Sequence, residues 1–399
     1  MKIHTYRSLT ALALAAVMTA GYTVSVLADE PEMTPGEGYT QFMEALQDNH
    51  MEYDELTELV KRNYGPIKSS YDMIDTMEID QADMATAMRV VADDYMSQAQ
   101  QLADTLGSGN SNVMRIVSGA RQLRSGAQSI DRSIDRSNSK KSVDRQANAV
   151  ISGAEILMNQ YETYLSRRRV LEKALEVAQT AQNIQQSLQS QGLAVDADVL
   201  SAAAQLSSTR SQLEQVNAGI DQIYKNLCYF TGWDRNAESI IGPVPAADVS
   251  SIAALDLNAD TEKAVNNNYS LITMRSGSGA GMTDVQIRTT NKRTQVGNKM
   301  RTVQNAEDEL RSDMKTLYDT IIEKKAAYDA AGTALQSAQL TWNAAQIQYQ
   351  NGTISQIQYM QQEMAYLQAQ SGYKCADLSL QQAVRNYQWA VKGVSVSAG

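Results

Sequence analysis

The groups in this chain that could do chemistry are few and scattered. Of its two histidines, His4 falls in an N-terminal leader and His50 stands alone. A single imidazole without partners makes neither a zinc site nor a catalytic triad, so His50 reads as a surface residue. There is no Cys/His cluster, no glycine-rich phosphate loop and no nucleophile motif. Asp196 and Asp198 could ligate a cation, but at the start of a helical stretch they fit first-turn dipole stabilisers better. Cys228 and Cys375 are the only cysteines. The residues therefore point to no catalysis, no cofactor and no metal, and the chain is expected not to be an enzyme.

The elements that carry these residues are more informative. Val199, Leu206, Leu213, Ile220 and Leu227 recur every seven residues. Exactly the same spacing, 160 residues on, joins Tyr359, Tyr366, Tyr373, Leu380 and Tyr387. Gly192 and Gly352, one before each stripe, share that offset. Large apolar groups at a seven-residue period mark the seam of a helix packed on a partner helix. A repeat of this length with its turn glycine in register predicts two copies of one long helical hairpin. The aromatic members read as seam packing rather than a ligand cage.

Composition supports long helices. The 399 residues include five prolines, none of them between 67 and 242 or after 245. Proline removes a helix hydrogen bond and clashes with the preceding turn, so its absence permits helices over 113–190 and 282–350. Two Phe and three Trp are too few for a compact globule of this size and suit extended coiled coil, where much of each helix stays wet. The expected fold is all-α, with duplicated long antiparallel hairpins in an elongated protomer. The divisions are a signal peptide at 1–28, an acidic helical region at 29–80 interrupted at Gly65-Pro66, a first repeat at 81–232, a linker at 233–257 and a second repeat at 258–393. Loops are expected at 107–112 and 276–281. Ser355 followed by Gln358 reads as a capping box opening the last helix.

Lys2, Arg7, the apolar stretch from Ala11 and the Val26-Leu27-Ala28 site read as a secretory signal, so the protein is expected to be exported. A disulfide between Cys228 and Cys375 is then conceivable, but the hairpin register opposes it. The two lie 36 and 23 residues beyond their turn glycines, about 20 Å apart in level at ~1.5 Å per residue, whereas a disulfide needs Cα atoms within ~7 Å. Both are expected to be buried and unpaired.

The net charge of −10 is unevenly placed. Residues 29–95 hold seventeen acids against four bases, and residues 115–145 hold eight bases against three acids. Arg132, Arg136, Lys140 and Lys141 in the first half match Arg288, Lys292, Arg293, Lys299 and Arg301 in the second. Together they predict a basic belt that contacts anionic lipid heads or wall polymers, or else a solvated helix face. No nucleic acid partner is expected.

The segments Gly192–Ala202 and Gly352–Met360, with closing glycines Gly232 and Gly393, resemble the hairpin turns of the TolC-like outer-membrane efflux and secretion family. The resemblance covers residues 80 to 393. It implies a homotrimeric helical tunnel whose turns, Gln191-Gly192-Leu193-Ala194 and Asn351-Gly352-Thr353-Ile354, dock a periplasmic-adaptor-like protein working with an inner-membrane pump. It also implies a tunnel mouth near Asp196, Asp198, Gln358 and Gln361. Two departures stand out. A membrane strand needs ~9–11 residues, and the expected loops are too short for the family's barrel hairpins. The second turn carries Gln358 and Gln361 where the family often has aspartates. The reading is a non-enzymatic tunnel component of an efflux or type I-like secretion system, located in the cell envelope in association with the outer membrane or wall. The alternative is an exported structural coiled-coil rod that spaces or tethers the envelope.

Overall fold

A computed structural model describes residues 50–106, 110–135, 139–234, 240–279 and 290–396. The signal segment, Arg136 and Arg288 fall outside them. The described residues are all-α apart from two short strands. The helices are α1 (Leu56–Asn63), α2 (Gly65–Leu106), α3 (Ser111–Asp135), α4 (Ser139–Ser190), α5 (Asp196–Thr231), α6 (Val249–Ile252), α7 (Leu257–Asn267), α8 (Tyr269–Gly279), α9 (Thr290–Gln350) and α10 (Gln356–Val391). Strands β1 (His50–Met51) and β2 (Ile240–Ile241) pair in parallel. Among the described residues no helix is long and apolar enough to cross a membrane.

The break expected at Gly65-Pro66 falls between α1, which ends at Asn63, and α2, which begins on that pair. Proline's missing N–H costs nothing in a first turn, where that donor has no intrahelical partner. Ser276–Gly279 is not a loop, because α8 runs through Gly279. Single glycines cost a helix only ~1 kcal/mol each, too little to end it here.

The chain divides into two compact units, Lys61–Ala147 and Met1–Val60 with Asn148–Gly399. In the first, α2 packs antiparallel on α3. Ala85, Ala92 and Ala99 face Val113, Ala120 and Ala127, all buried and each seven residues from the next. Small side chains at seam positions let the two backbones approach closely. The α2–α3 connection is only residues 107–110, far short of two ~9-residue membrane strands.

In the second unit, α4 and α5 form one hairpin and α9 and α10 the other. A core of Met314, Leu317, Ile321, Leu380, Val384 and Tyr387 joins α9 to α10 beneath α7. Met314, Ile321 and Leu380 are fully buried, each contributing about 1.5–3 kcal/mol of apolar burial. Along the rest of that seam the tyrosines pair off. Trp342 lies 4.8 Å from Tyr359 and 6.4 Å from Tyr366, Tyr349 lies 4.4 Å from Tyr359, and Tyr328 lies 5.0 Å from Tyr373. No disulfide joins the two cysteines, of which Cys228 is buried and Cys375 only half-buried.

Candidate functional site

Each hairpin reverses at a glycine in the left-handed region, Gly192 at φ 73° and Gly352 at φ 68°. The Leu193 N–H donates to Leu188 O (2.8 Å) and the Thr353 N–H to Gln348 O (2.9 Å). These six-to-one bonds close both helix ends in the same way and satisfy otherwise orphaned carbonyls. Open space surrounds both glycines, so backbone conformation alone requires them. The return helices are alike too. α5 and α10 each hold 36 residues, and glycines at φ 71° (Gly232) and 96° (Gly393) follow them.

The two tips differ in how the return helix starts. Ser355 and Gln358 form a complete capping box, as the sequence predicts. Val195 caps α5 with no side-chain bond. There Gln189 Nε2 donates to Asp196 Oδ1 across the turn (2.7 Å), and Asp196 and Asp198 occupy the first turn, where the helix dipole favours their charge.

The apolar surface also differs. Leu193 and Leu200 are 71% and 72% exposed, whereas Ile354 is half-buried, so the first turn presents more apolar surface than the second. On the second hairpin the exposed apolar groups lie higher on α9, at Leu340 and Ile347. An open groove of ≈ 400 Å³ runs there beside Leu335, Gln336, Gln339, Leu340 and Tyr366. Gln191, Asn351, Thr353, Asp196, Asp198, Gln358 and Gln361 are exposed and Ala194 is half-buried. The first tip is therefore acidic and the second neutral. A second macromolecule, rather than a small substrate, suits such convex, partly apolar tips.

Sequence reasoning missed the polar clamp that joins α4 to α10. Glu155, almost fully buried, accepts from Arg385 Nε (3.1 Å) and Trp389 Nε1 (2.7 Å). Asn159 donates to Gln381 (2.9 Å), which itself donates to the Tyr53 hydroxyl (2.9 Å). Burial first, then the Glu155 charge, pushes the Tyr53 phenol well above its usual value. Further along, Lys374 meets Glu162 (3.0 Å) and Lys173 meets Glu363 (2.6 Å). Glu162 and Asp377 also accept the backbone N–H groups of Val244 and Ala247, pinning the linker as a strap. No local pattern marks partners that lie 230 residues apart, as Glu155 and Arg385 do.

One member of the basic belt is paired within the chain: Lys140 lies 2.9 Å from Asp75 and 3.2 Å from Glu78, and the nearby Arg124 lies 2.6 Å from Asp93. Acids of α2 thus offset some of the bases of α3 and early α4. Arg132, Lys141 and Arg301 are exposed. Lys292, Arg293 and Lys299 lie on α9, with their side chains outside the description.

No protein-family model matches the chain, and no curated protein matches it by sequence. Among solved structures the chain is similar to the Campylobacter jejuni CmeC outer membrane channel, at 14% identity over 94% of this chain and 93% of that one, with a TM-score of 0.49. It is also similar to the outer-membrane channel OprN, at 11% identity over 89% and 92%, TM-score 0.48. A third is the outer membrane protein VceC of Vibrio cholerae, at 13% identity over 83% and 95%, TM-score 0.43. At such identities and scores the likeness says nothing of what this chain does.

Proposed function

We propose that this protein is a non-enzymatic, oligomeric helical conduit of the cell envelope, serving efflux or type I-like secretion. Three copies form the tunnel, and the hairpin turns dock an adaptor protein that couples it to an inner-membrane pump. The observation that carries this reading is the agreement of the two hairpins, turn for turn and residue for residue in the length of their return helices. Such agreement is what a duplicated stave of a closed helical wall requires, since each stave must present the same ends at the same level. The exposed apolar residues of the first tip, Leu193 and Leu200, supply a docking surface, and Asp196 and Asp198 give the mouth its charge. Contact of the α9 bases Lys292, Arg293, Lys299 and Arg301 with anionic lipid or wall polymer is a secondary proposal.

The double substitution Leu193→Asp with Leu200→Asp tests the docking. Both side chains are exposed, so the fold survives by circular dichroism. Transport in the native host, read as accumulation of an efflux dye, fails in the variant. Normal efflux with a folded variant removes the tips from docking.

A further inference from the structure

The unit Lys61–Ala147 has an unused seam on each side. On α2, Asp72, Asp83 and Asp94 follow one another at eleven residues, close to three helical turns. Each lies two residues from an inward position (Ile74, Ala85, Ala92), and so points roughly 160° away from α3 at ~100° per residue. Between them Ile79 and Val90 are 61% and 64% exposed. The set 72, 79, 83, 90, 94 has the seven-and-four spacing of a helix-packing stripe.

The far side of the hairpin is its complement. Arg121, Arg132 and Lys141 are exposed and stand two residues from the inward-facing Leu123, Ile130 and Val143. None of these three bases, nor the three aspartates, makes an ion pair to a described residue. The spacing of the two charge sets also agrees. Inside the hairpin Arg124 meets Asp93 and Lys140 meets Asp75. Counting along at that antiparallel register brings Arg121, Arg132 and Lys141 each within two residues, about 3 Å of helix rise, of Asp94, Asp83 and Asp72.

We propose that the acidic, Ile79/Val90-bearing face of α2 packs against the basic face of α3 and early α4 of a second copy of this chain. Like the intramolecular pairing, this contact is antiparallel and nearly level. It joins two different faces, so each copy offers one of each and the contact repeats from copy to copy until a ring closes. Charge complementarity names the occupant: an unrelated helix would need three bases spaced to within about two residues of these aspartates, and the chain itself carries them, at eleven and then nine residues. The proposal rests on the multi-copy conduit reading and adds what holds the copies together along α2 and α3.

The test is a charge swap in the full mature chain, with mass read by light scattering across a concentration series and fold by circular dichroism. One variant carries Asp83→Lys with Asp94→Lys, a second Arg121→Glu with Arg132→Glu, and a third all four changes. Each double reversal sets like charges against each other and weakens assembly by about tenfold or more, several exposed pairs changing sign at once. The fourfold variant restores opposite charges and regains the wild-type mass. Folded variants that assemble like the wild type, or a folded fourfold variant that does not recover, overturn the ladder while an oligomeric wild type leaves the conduit standing. A monomeric wild type overturns both.

Discussion

Replacing Gly393 by alanine probes how the end of α10 is locked, and the structure supplies its own controls. Gly393 has φ 96°. A Cβ placed there would clash with Asn267 O and sit 2.5 Å from Asn267 C. These are backbone atoms at the junction of α7 and α8, so no side-chain rotation relieves the clash. The same junction donates the Tyr269 N–H to Gly393 O (3.3 Å) and Asn267 Nδ2 to Val391 O (3.0 Å). The left-handed conformation costs alanine about 1–2 kcal/mol, and overpacking against a fixed backbone adds roughly 1–3 kcal/mol, giving about 2–5 kcal/mol in all. At Gly192 and Gly352 nothing lies within 4 Å, so only the conformational cost applies. The smaller freedom of the unfolded chain offsets about 0.4–1 kcal/mol of it. Urea unfolding followed by circular dichroism therefore shows Gly393→Ala losing several times more stability than Gly192→Ala or Gly352→Ala. Equal losses at the three sites would refute the argument that close backbone approach, and not φ alone, fixes Gly393.

Arg385→Met leaves the buried Glu155 without its cation and destabilises by about 3–5 kcal/mol, whereas Arg385→Met combined with Glu155→Leu recovers most of that loss; chemical denaturation of the two variants checks both figures. The hydrogen bond to the Tyr373 hydroxyl (2.5 Å), with burial second, pushes the Tyr328 phenol up to about 12. A folded-state pKa raised above the unfolded value gives stability that is complete below about pH 10 and is lost as pH rises towards 12. Alkaline titration of thermal stability therefore falls less steeply in Tyr328→Phe than in the wild type, and parallel curves would contradict the assignment.

Much of the helical plan was legible because it is local and periodic. The stripe from Leu206 to Leu227 and the tyrosines from Tyr359 to Tyr387 fix which face turns inward, and Ser355 with Gln358 announces its own cap. Gly192 and Gly352 are legible for the same reason, since a left-handed turn needs little beyond glycine. What stayed hidden depends on residues far apart in the chain. Neither the pairing of His50 with Ile240 nor the clamp of Glu155 on Arg385 has a sequence period. The uneven charge was visible, but its meaning was not. Asp75 and Glu78 meet Lys140 only once α2 folds back beside the start of α4, which neutralises part of the basic stretch. At the tips, Leu193 and Ile354 each closely follow a turn glycine, yet only Leu193 is exposed, a difference in burial that no local pattern carries.

Electron microscopy of the purified mature protein tests the central claim most directly. A conduit built from these hairpins appears as a hollow cylinder with rotational symmetry, three-fold for the proposed trimer, and an open channel in end view. Solid two-stranded rods, or single copies at every concentration, would contradict it.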